Sequence, residues 1–451
     1  MRATRCLSII LMQGLLLIGS ANAALITVNA LTDEPAPGVG VCQLRQAIEA
    51  ANTDAAVGFC AAGSGSDTIE FRVSGVIDLA SDLPEITASL LIDGPGIGRL
   101  AINGGGLYRQ FHFGWNSGKQ QLRSIEIRDG YNSIVGGCVY HEANGLLMDN
   151  VLVQGCRAGG GGGGALATTT SIIAGGRSTS ILGSTFLDNS ADGSGGAISF
   201  GNFSGNGSSL EIRDSSFVSN KALGNTSTGG AIRIAAKATD IITILRSTFY
   251  DNQADQEGSA INQQTLADAA LIIRHSTFSA NVADADESGS GNGAISVGEG
   301  TLTLENTIVA GNFDLSASSP IPDISIFGNG LVNSNGFNFI GNNRNNDTEF
   351  PEGYPNANGD YVGILALPLD PLLGPISSNG GPTPTLVPDD NSPVIDLGSF
   401  PGETTDQRGL SNPDTGLRVF DMVPVNADDG CDIGAVEYYS KDIFADSFED
   451  S

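Results

Sequence analysis

Apolar and polar residues alternate in short stretches along the chain, and turn-forming residues separate these stretches. A period of two residues places successive side chains on opposite faces of a β-strand. The first stretches predict strands at residues 25–28, 68–71, 76–79, 90–93 and 100–103. Clusters such as Asp-Gly-Pro-Gly and Asn-Gly-Gly-Gly lie between them and predict tight turns. The pattern therefore indicates an all-β protein.

A longer repeat of about thirty residues occupies the middle of the chain. Each copy reads Ser-Thr/Ser-Phe-x-x-Asn, then a polar loop, then a segment close to Gly-Gly-Ala-Ile. The repeated aromatic and amide residues are Phe186, Phe217, Phe249, Phe278, Asn189, Asn220, Asn252 and Asn281. Repetition at a near-constant spacing is typical of a solenoid, in which one supersecondary unit stacks on the next. We therefore predict a single right-handed parallel β-helix, with a ladder of Phe rings inside and a ladder of Asn side chains at a turn.

Two earlier copies of the repeat are degenerate. In them, Ile127 with Gly130 and Leu152 with Gly155 are assigned to the Phe and Asn positions. The loops between Asn and Gly-Gly differ most among the copies, and they are polar and rich in glycine. We expect these loops to project into solvent and to carry any binding function. They comprise residues 190–194, 221–228, 253–257 and 282–291.

The segment 42–52 has a different period from the rest of the chain. Leu44, Ile48 and Ala51 recur at helical spacing and predict one amphipathic helix. A helix before the first coils is expected to cover the open N-terminal end of the hydrophobic bore. From about residue 316 the sequence becomes rich in Asn, Gly and Pro. This composition predicts a loop-rich C-terminal cap, followed by an acidic tail at 438–451 that is a candidate sorting signal.

The first 23 residues have the features of a secretory signal peptide. Arg2 and Arg5 precede an apolar stretch, and Ala21-Asn22-Ala23 predicts cleavage between Ala23 and Ala24. No later segment of the mature chain resembles a transmembrane helix. We therefore expect an exported protein, located outside the cell or on the outer surface of a bacterial cell.

Export places the cysteines in an oxidising compartment. Two pairs have the same separation of 18 residues, which predicts the disulfides Cys42–Cys60 and Cys138–Cys156. Each would stabilise the fold by roughly 3 kcal/mol in the chain-entropy description. Cys431 is left over, and both a buried thiol and an intermolecular pairing remain open.

The net charge of the chain restricts the classes of partner that it is expected to bind. The net charge of −29 repels phosphate backbones and anionic lipid, so nucleic acid is not an expected partner. Acidic loops offer a weak alternative, which is loose binding of Ca²⁺. The carboxylates concerned are Asp251, Asp255, Glu257, Asp284, Asp286 and Glu287. No other cofactor or metal is expected.

No arrangement of residues in the sequence predicts catalysis. His112, His141 and His275 are the only histidines, and none lies in an acid-rich motif. His275 is expected to face outward from a repeat strand. Arg213, Arg246 and Arg274 are expected to form a surface stripe, because they are assigned to corresponding positions of the repeat. No catalytic residue is therefore assigned.

Three parts of the chain resemble known bacterial families. Cys42-Gln-Leu-Arg-Gln-Ala-Ile-Glu-Ala-Ala-Asn52 resembles the CSLREA element, with Gln43 and Gln46 replacing Ser and Glu. Residues 334–437 resemble the choice-of-anchor Q domain through segments such as SNGFNFIG, NGGPTPT, TDQRG and CDIGAVE. The middle repeats are similar to those of chlamydial polymorphic outer-membrane proteins. The resemblance implies an exported right-handed β-helix of the pectate-lyase-like superfamily, and it implies no particular reaction.

These observations predict an order of regions and a function. The regions are a signal peptide at 1–23, an N-terminal cap with first coils at 24–121, β-helix repeats at 122–315, a C-terminal region at 316–437 and the tail. The expected function is a non-enzymatic adhesion or binding scaffold whose loops contact glycans or surface proteins. The alternative is a polysaccharide lyase or glycoside hydrolase acting on uronate polymers. That alternative predicts acidic and basic side chains converging on one sheet face.

Overall fold

The computed structural model describes residues 23–115, 118–169, 176–201, 207–264, 269–287, 291–315, 322–399, 402, 404–411 and 430–439. The predicted signal peptide up to residue 22 and the tail from residue 440 lie outside the described residues. Within them the chain forms a parallel β-solenoid with one α-helix, α1 (Leu44–Thr53). Each strand pairs in parallel with its counterpart in the next turn, as the repeat predicts.

The strands form three hydrogen-bonded sheets, the largest of which bends into two faces that we name sheet 1 and sheet 2. Sheet 1 contains β1 (Leu25–Val28), β2 (Asp67–Phe71), β4 (Leu90–Asp93), β7 (Lys119–Arg128), β10 (Gly145–Gln154), β13 (Ser178–Leu182), β17 (Ser209–Arg213), β21 (Ile241–Leu245), β25 (Ala270–Arg274), β29 (Thr301–Glu305) and β33 (Leu331–Ser334). Sheet 2 contains β3 (Gly75–Asp78), β5 (Leu100–Asn103), β14 (Thr185–Leu187), β18 (Ser216–Val218), β22 (Thr248–Tyr250), β26 (Thr277–Ser279), β30 (Ile308–Val309), β34 (Phe339–Ile340) and β35 (Tyr361–Val362).

The other two sheets complete each turn. Sheet 3 contains β8 (Tyr131–Asn132), β11 (Arg157–Ala158), β15 (Ser190–Ala191), β19 (Lys221–Ala222), β23 (Gln253–Ala254), β27 (Val282–Ala283) and β31 (Phe313–Asp314). Sheet 4 contains β6 (Phe111–Phe113), β9 (Val139–His141), β12 (Leu166–Thr168), β16 (Ile198–Gly201), β20 (Ile232–Ala235), β24 (Ile261–Gln263), β28 (Ile295–Val297) and β32 (Ile324–Ile326).

A row of left-handed residues marks the corner between sheets 1 and 2. The long strands β7 and β10 run through this corner, whereas later turns break there into two strands. Arg246 and His275 occupy the corner, with φ of 45° and 44°. Both are buried, so the expectation that His275 faces outward was wrong. The predicted arginine stripe was wrong as well, because Arg213 and Arg274 are in register with Leu245, and Arg246 instead pairs with Asp214 at 2.7 Å.

The interior contains a continuous stack of phenylalanine rings. The ring centroids of Phe186, Phe217, Phe249 and Phe278 are 4.9, 4.7 and 4.5 Å apart in succession, with interplanar angles of 3–6°. All four side chains are fully buried. Each aromatic side chain contributes roughly 2–3 kcal/mol through the apolar surface it removes from water.

The asparagines form a second buried stack at the turn that follows sheet 2. The Nδ2 atom of each Asn donates to the Oδ1 atom of the next at 2.9 Å, from Asn189 through Asn281 to Asn312. That Oδ1 atom also accepts from the backbone N–H of the preceding Asn in the stack. The side chains thus satisfy backbone groups that a buried turn would leave without partners.

A disulfide lies at one end of this asparagine stack, and a carboxyl group lies at the other. Cys156 occupies the turn before Asn189, and its N–H donates to Asn189 Oδ1 at 3.0 Å. Cys156 is bonded to Cys138, and Cys42 to Cys60, so both predicted disulfides are present. At the other end Asn312 Nδ2 donates to Asp323 Oδ1 at 2.8 Å. Burial raises the pKa of Asp323 to about 7 against the effect of its hydrogen bonds.

The strand register corrects one degenerate repeat. Val153, not Leu152, is aligned with Phe186 and with Ile127. The Asn position of that turn is therefore Cys156 and not Gly155. A shift of one residue was not visible in the sequence, because Leu152 and Val153 are both apolar.

Helix α1 lies against the first two strands at the N-terminal end of the solenoid. Leu44, Ala47 and Ile48 are buried in the core, as the helical period predicts. Arg45 fixes the helix to the coils, because its guanidinium pairs with Asp33 at 2.7 Å and also donates to backbone oxygens of residues 81 and 82.

The loop-rich region after β35 lies along the flank of the solenoid and covers sheet 2. Gln407 Oε1 accepts from Thr248 Oγ1 at 2.6 Å, and Gln407 Nε2 donates to Ser216 Oγ at 2.8 Å. The N–H of Ala435 donates to Thr277 Oγ1 at 3.1 Å. The outward side chains of sheet 2 at these positions are therefore buried. At the C-terminal end of the bore, Phe350 is packed into the main core. Sheet 2 is thus closed to ligands along these turns.

Candidate functional site

A cluster of polar and aromatic side chains lies on the outer face of sheet 4, near the N-terminal end of the solenoid. His112 on β6 and Tyr140 on β9 are register partners, so their side chains leave the sheet next to each other. Their ring centroids are 5.0 Å apart, close to the spacing of neighbouring strands. Glu142 follows β9 and Thr169 follows β12. We name Arg109, His112, Tyr140, Glu142 and Thr169 the sheet 4 cluster.

Glu142 connects the members of the cluster. Its Oε2 atom is 3.0 Å from His112 Nε2, and its Oε1 atom accepts from Tyr140 OH at 3.2 Å. The Tyr140 hydroxyl is also 2.9 Å from Thr169 Oγ1. The His112 and Glu142 side chains are 29% and 20% exposed, so solvent and ligands reach the pair. A carboxylate that holds an imidazole is an arrangement suited to proton transfer and to binding hydroxyl groups.

Two arginines, Arg109 within the cluster and Arg177 beside it, are held by backbone oxygens. Arg109 Nε donates to Gly136 O at 2.8 Å, and Arg109 Cζ lies 5.1 Å from the centre of the Tyr140 ring. Arg177 Nη1 donates to Thr169 O at 3.1 Å and to Glu142 O. These contacts fix both guanidinium groups, so they contribute positive charge at defined positions.

Burial perturbs the pKa values of several groups in this region. Burial, as the largest cause, raises the pKa of Tyr140, so its hydroxyl stays protonated and able to donate at neutral pH. Burial lowers the pKa of Arg109 against the opposing effects of Asp82, Tyr140 and Glu142. His141 points into the bore, and its pKa is lowered to about 3 by burial and then by the charge of Arg177. His141 is therefore neutral, and among the three histidines only His112 contributes to the cluster.

A shallow groove adjoins the cluster across the corner between sheets 4 and 1. One part encloses about 440 Å³ and includes Asp67, Lys119 and Gln121 in its lining. A second part of about 240 Å³ shares Lys119 and continues along Gly145 and Ser178. Only residues 143 and 144 separate Glu142 from Gly145, and Arg177 directly precedes Ser178. We name this depression the sheet 1 groove. It crosses five successive strands and is therefore roughly 20 Å long.

An exposed aromatic side chain follows β6. Trp115 is the only tryptophan of the chain, and it is 58% exposed. It lies three residues after His112 in sequence. An exposed indole ring close in sequence to a polar cluster offers an apolar surface, and ligand sites commonly combine the two.

The other predicted positions are structural. The eight ladder residues and the four disulfide cysteines are buried. Cys431 is a buried thiol that donates to Asp432 O at 3.6 Å. The N–H of Ala24 pairs with Asp67, whereas Ala23 is exposed. The variable loops stack on one another in register, as sheet 3 and the adjacent turns show, while residues 288–290 of the last loop lie outside the described residues.

The acidic loops are engaged in internal contacts. Asp251 Oδ2 accepts from Ser219 Oγ at 2.7 Å, and Asp255 Oδ2 accepts from the N–H of Gly224. Burial is the largest cause of the raised pKa of Asp255. The hydrogen bond from Gly224 opposes this effect, and the negative charges of Asp286 and Asp284 add to it. In the part of the chain that the structure describes, no group of three or more His, Cys, Asp and Glu residues is arranged to hold a metal ion.

The fold places this chain in the class of parallel β-solenoid proteins. No family model, no curated protein and no solved structure matches it. Among the described helices, none has the length and apolar character needed to span a bilayer.

Proposed function

We propose that this chain is an exported, solenoid-shaped binding protein that holds a glycan at the sheet 4 cluster and along the sheet 1 groove. The observation that carries the proposal is the convergence of His112, Tyr140 and Glu142 on an open sheet face beside Arg109. Such hydrogen-bonding groups, together with the exposed indole of Trp115 three residues after His112, match a ligand that carries many hydroxyl groups. Sheet 2 is covered along the turns of Ser216, Thr248 and Thr277, whereas this corner is open and carries the sheet 1 groove.

The export and family parts of the proposal rest on the sequence. The features of a signal peptide, the CSLREA-like segment and the choice-of-anchor Q-like segments support a protein outside the bacterial cell or on its surface. The two disulfides support an oxidising compartment. The net charge of −29 favours a neutral or weakly charged glycan, because a long polyanion would be repelled by the rest of the surface.

Binding is tested by titrating the purified protein with neutral and uronate-containing oligosaccharides. We expect Tyr140→Phe to raise the dissociation constant about tenfold, because the variant loses the hydroxyl that contacts Glu142 and Thr169. Tyr131→Phe on sheet 3 is the matched control and should leave the affinity unchanged. Equal affinities of the two variants, or no binding of any of these glycans, would contradict the proposal.

The second candidate function is a polysaccharide lyase or glycoside hydrolase, and one observation favours it. The cluster contains an acid and a guanidinium, the two kinds of group that this alternative requires on one sheet face, and also an imidazole and a phenol. The same oligosaccharides, incubated with and without Ca²⁺, should stay intact if the protein only binds them. Cleavage that falls about 100-fold or more in His112→Ala would establish the enzyme instead.

A further inference from the structure

The carboxyl group of Asp67 is buried at the start of the solenoid without a cationic partner. The Asp67 side chain begins β2, and the residue is 2% exposed. Its Oδ1 atom accepts from the backbone N–H of Ser64 at 2.8 Å and from that of Ala24 at 3.0 Å. Its Oδ2 atom is buried and has no hydrogen-bond partner. No Lys, Arg or His among the described residues forms an ion pair with Asp67.

A buried carboxylate without a counter-ion is costly. Gly63 leaves room for this carboxylate, because a Cβ atom at that position would lie 2.5 Å from Asp67 Oδ2. The adjacent strand is also fixed, since the N–H of Thr68 donates to Ala24 O at 2.9 Å. The Asp67 carboxylate therefore lies in a defined position, but it has no positively charged partner there.

The missing charge lies at the predicted cleavage site. In the precursor, the nitrogen of Ala24 belongs to a neutral peptide bond with Ala23. Cleavage of that bond by water gives Ala23 a carboxylate and Ala24 an α-ammonium group. That ammonium has three N–H donors in place of one and carries a positive charge. The nitrogen that would carry it lies 3.0 Å from Asp67 Oδ1 in this structure.

We propose that Asp67 is the receptor for the processed N-terminus, so that cleavage after Ala23 creates a buried ion pair that fastens β1 to β2. The precursor has the carboxylate without its counter-ion, and its first strand is held less firmly. Cleavage of the signal segment thus also stabilises the N-terminal coil, because it creates the ion pair that holds β1 on β2. This inference rests on the export part of the proposed function.

Other charged residues lie near this position, and the experiment must account for them. Glu70 on β2 accepts from Thr27 Oγ1, and Lys119 borders the same groove as Asp67. Asp54 Oδ1 accepts from the N–H of Gly65 at 3.2 Å. Glu70→Gln therefore serves as the matched control, because it removes one negative charge from the same strand without altering the contact to Ala24.

The test compares chains that begin at Ala24 with chains that keep two additional residues before it. Both chains are expressed as fusions in an oxidising compartment, and a protease removes the fusion partner to leave the chosen N-terminus. Each is made with Asp67 and with Asp67→Asn, which gives four proteins. The α-amine is labelled with an acylating reagent at pH 7, and hydrogen exchange is followed in 25–28. Asn at position 67 retains an oxygen that accepts from Ser64 and Ala24, so the variant is expected to fold.

We expect the α-amine of the Asp67 chain to react about tenfold more slowly than that of Asp67→Asn, because ion pairing raises its pKa. The two-residue extension should speed exchange in β1 about tenfold when Asp67 is present and have little effect in Asp67→Asn. Glu70→Gln should behave like the parent. Equal labelling rates, or effects of extension and substitution that simply add, would overturn the inference.

Export is tested separately by sequencing the N-terminus of the protein recovered from an exporting bacterial host. Ala24 as the first residue agrees with both proposals. An exported chain that begins at another residue overturns only the Asp67 inference. A precursor that stays uncut in the cytoplasm overturns export and the inference together.

Discussion

Asn252→Ala should lower the free energy of unfolding by about 3 kcal/mol or more, because it leaves buried polar groups without partners. Asn252 Oδ1 accepts from both the backbone N–H and the side-chain amide of Asn220. Asn252 Nδ2 donates to Phe217 O at 3.0 Å and to Asn281 Oδ1 at 2.9 Å. All of these groups lie where water has no access. The substitution therefore interrupts the stack in the middle of the solenoid.

The measurement is urea unfolding followed by circular dichroism, with Asn225→Ala as the control. Asn225 is exposed in the neighbouring loop, so its substitution should change stability by less than about 0.5 kcal/mol. Because solenoid turns contact only their neighbours, the Asn252 variant is also expected to unfold in two steps. Similar stabilities of the two variants would show that the asparagine stack does not support the fold.

Gly434→Ala should detach the C-terminal region from sheet 2. A Cβ atom at Gly434 would lie 2.7 Å from Ile308 Cδ1 and 2.9 Å from Thr277 Oγ1. Its φ of 109° is also unfavourable for any residue with a side chain. Overpacking of this kind typically costs about 1–3 kcal/mol, in addition to backbone strain of similar size.

Gly380→Ala separates these two effects. Gly380 has a similar φ of 95°, but nothing lies within 4 Å of its Cβ position. We expect backbone strain to destabilise both variants. Only Gly434→Ala should expose residues 404–411 and 430–439 to limited proteolysis. Equal cleavage of the two variants would mean that this region is not held by sheet 2.

The repeats allowed much of the fold to be predicted from the sequence, because residues at equivalent positions of a repeat become neighbours in successive turns of the solenoid. Phe217 and Phe249 stack since each occupies the same position in successive turns. The helix 44–53 was visible through its different period. The position of Val153 was missed because two adjacent apolar residues fit a degenerate repeat equally well. The burial of Arg246 and His275 was not predicted because both residues lie at a corner of the turn. At a corner the alternation of polar and apolar residues no longer indicates which side chains are buried.

The candidate site was less visible for a physical reason. His112 and Tyr140 are 28 residues apart in turns that lack the Phe and Asn signature, so only strand register brings them together. Glu142 and Thr169 lie just beyond their strands and meet Tyr140 through side-chain contacts. The Gly-Gly segments do not pair His112 with Tyr140, because no such segment directly precedes His112 in the sequence. The contact of Gln407 with Thr248 had no such signal, because it joins a non-periodic region to the repeats.

Stacking of the turns in register is the claim on which the ladders, the cluster and the groove all depend. It is tested most directly by a cysteine pair on the outer face of sheet 1. Glu211 and Thr243 are register partners, and neighbouring parallel strands lie about 4.8 Å apart, which suits a disulfide. We predict that Glu211→Cys with Thr243→Cys forms a disulfide on mild oxidation, whereas Glu211→Cys with Ile241→Cys does not. A bond in the offset pair and none in the aligned pair would contradict this register.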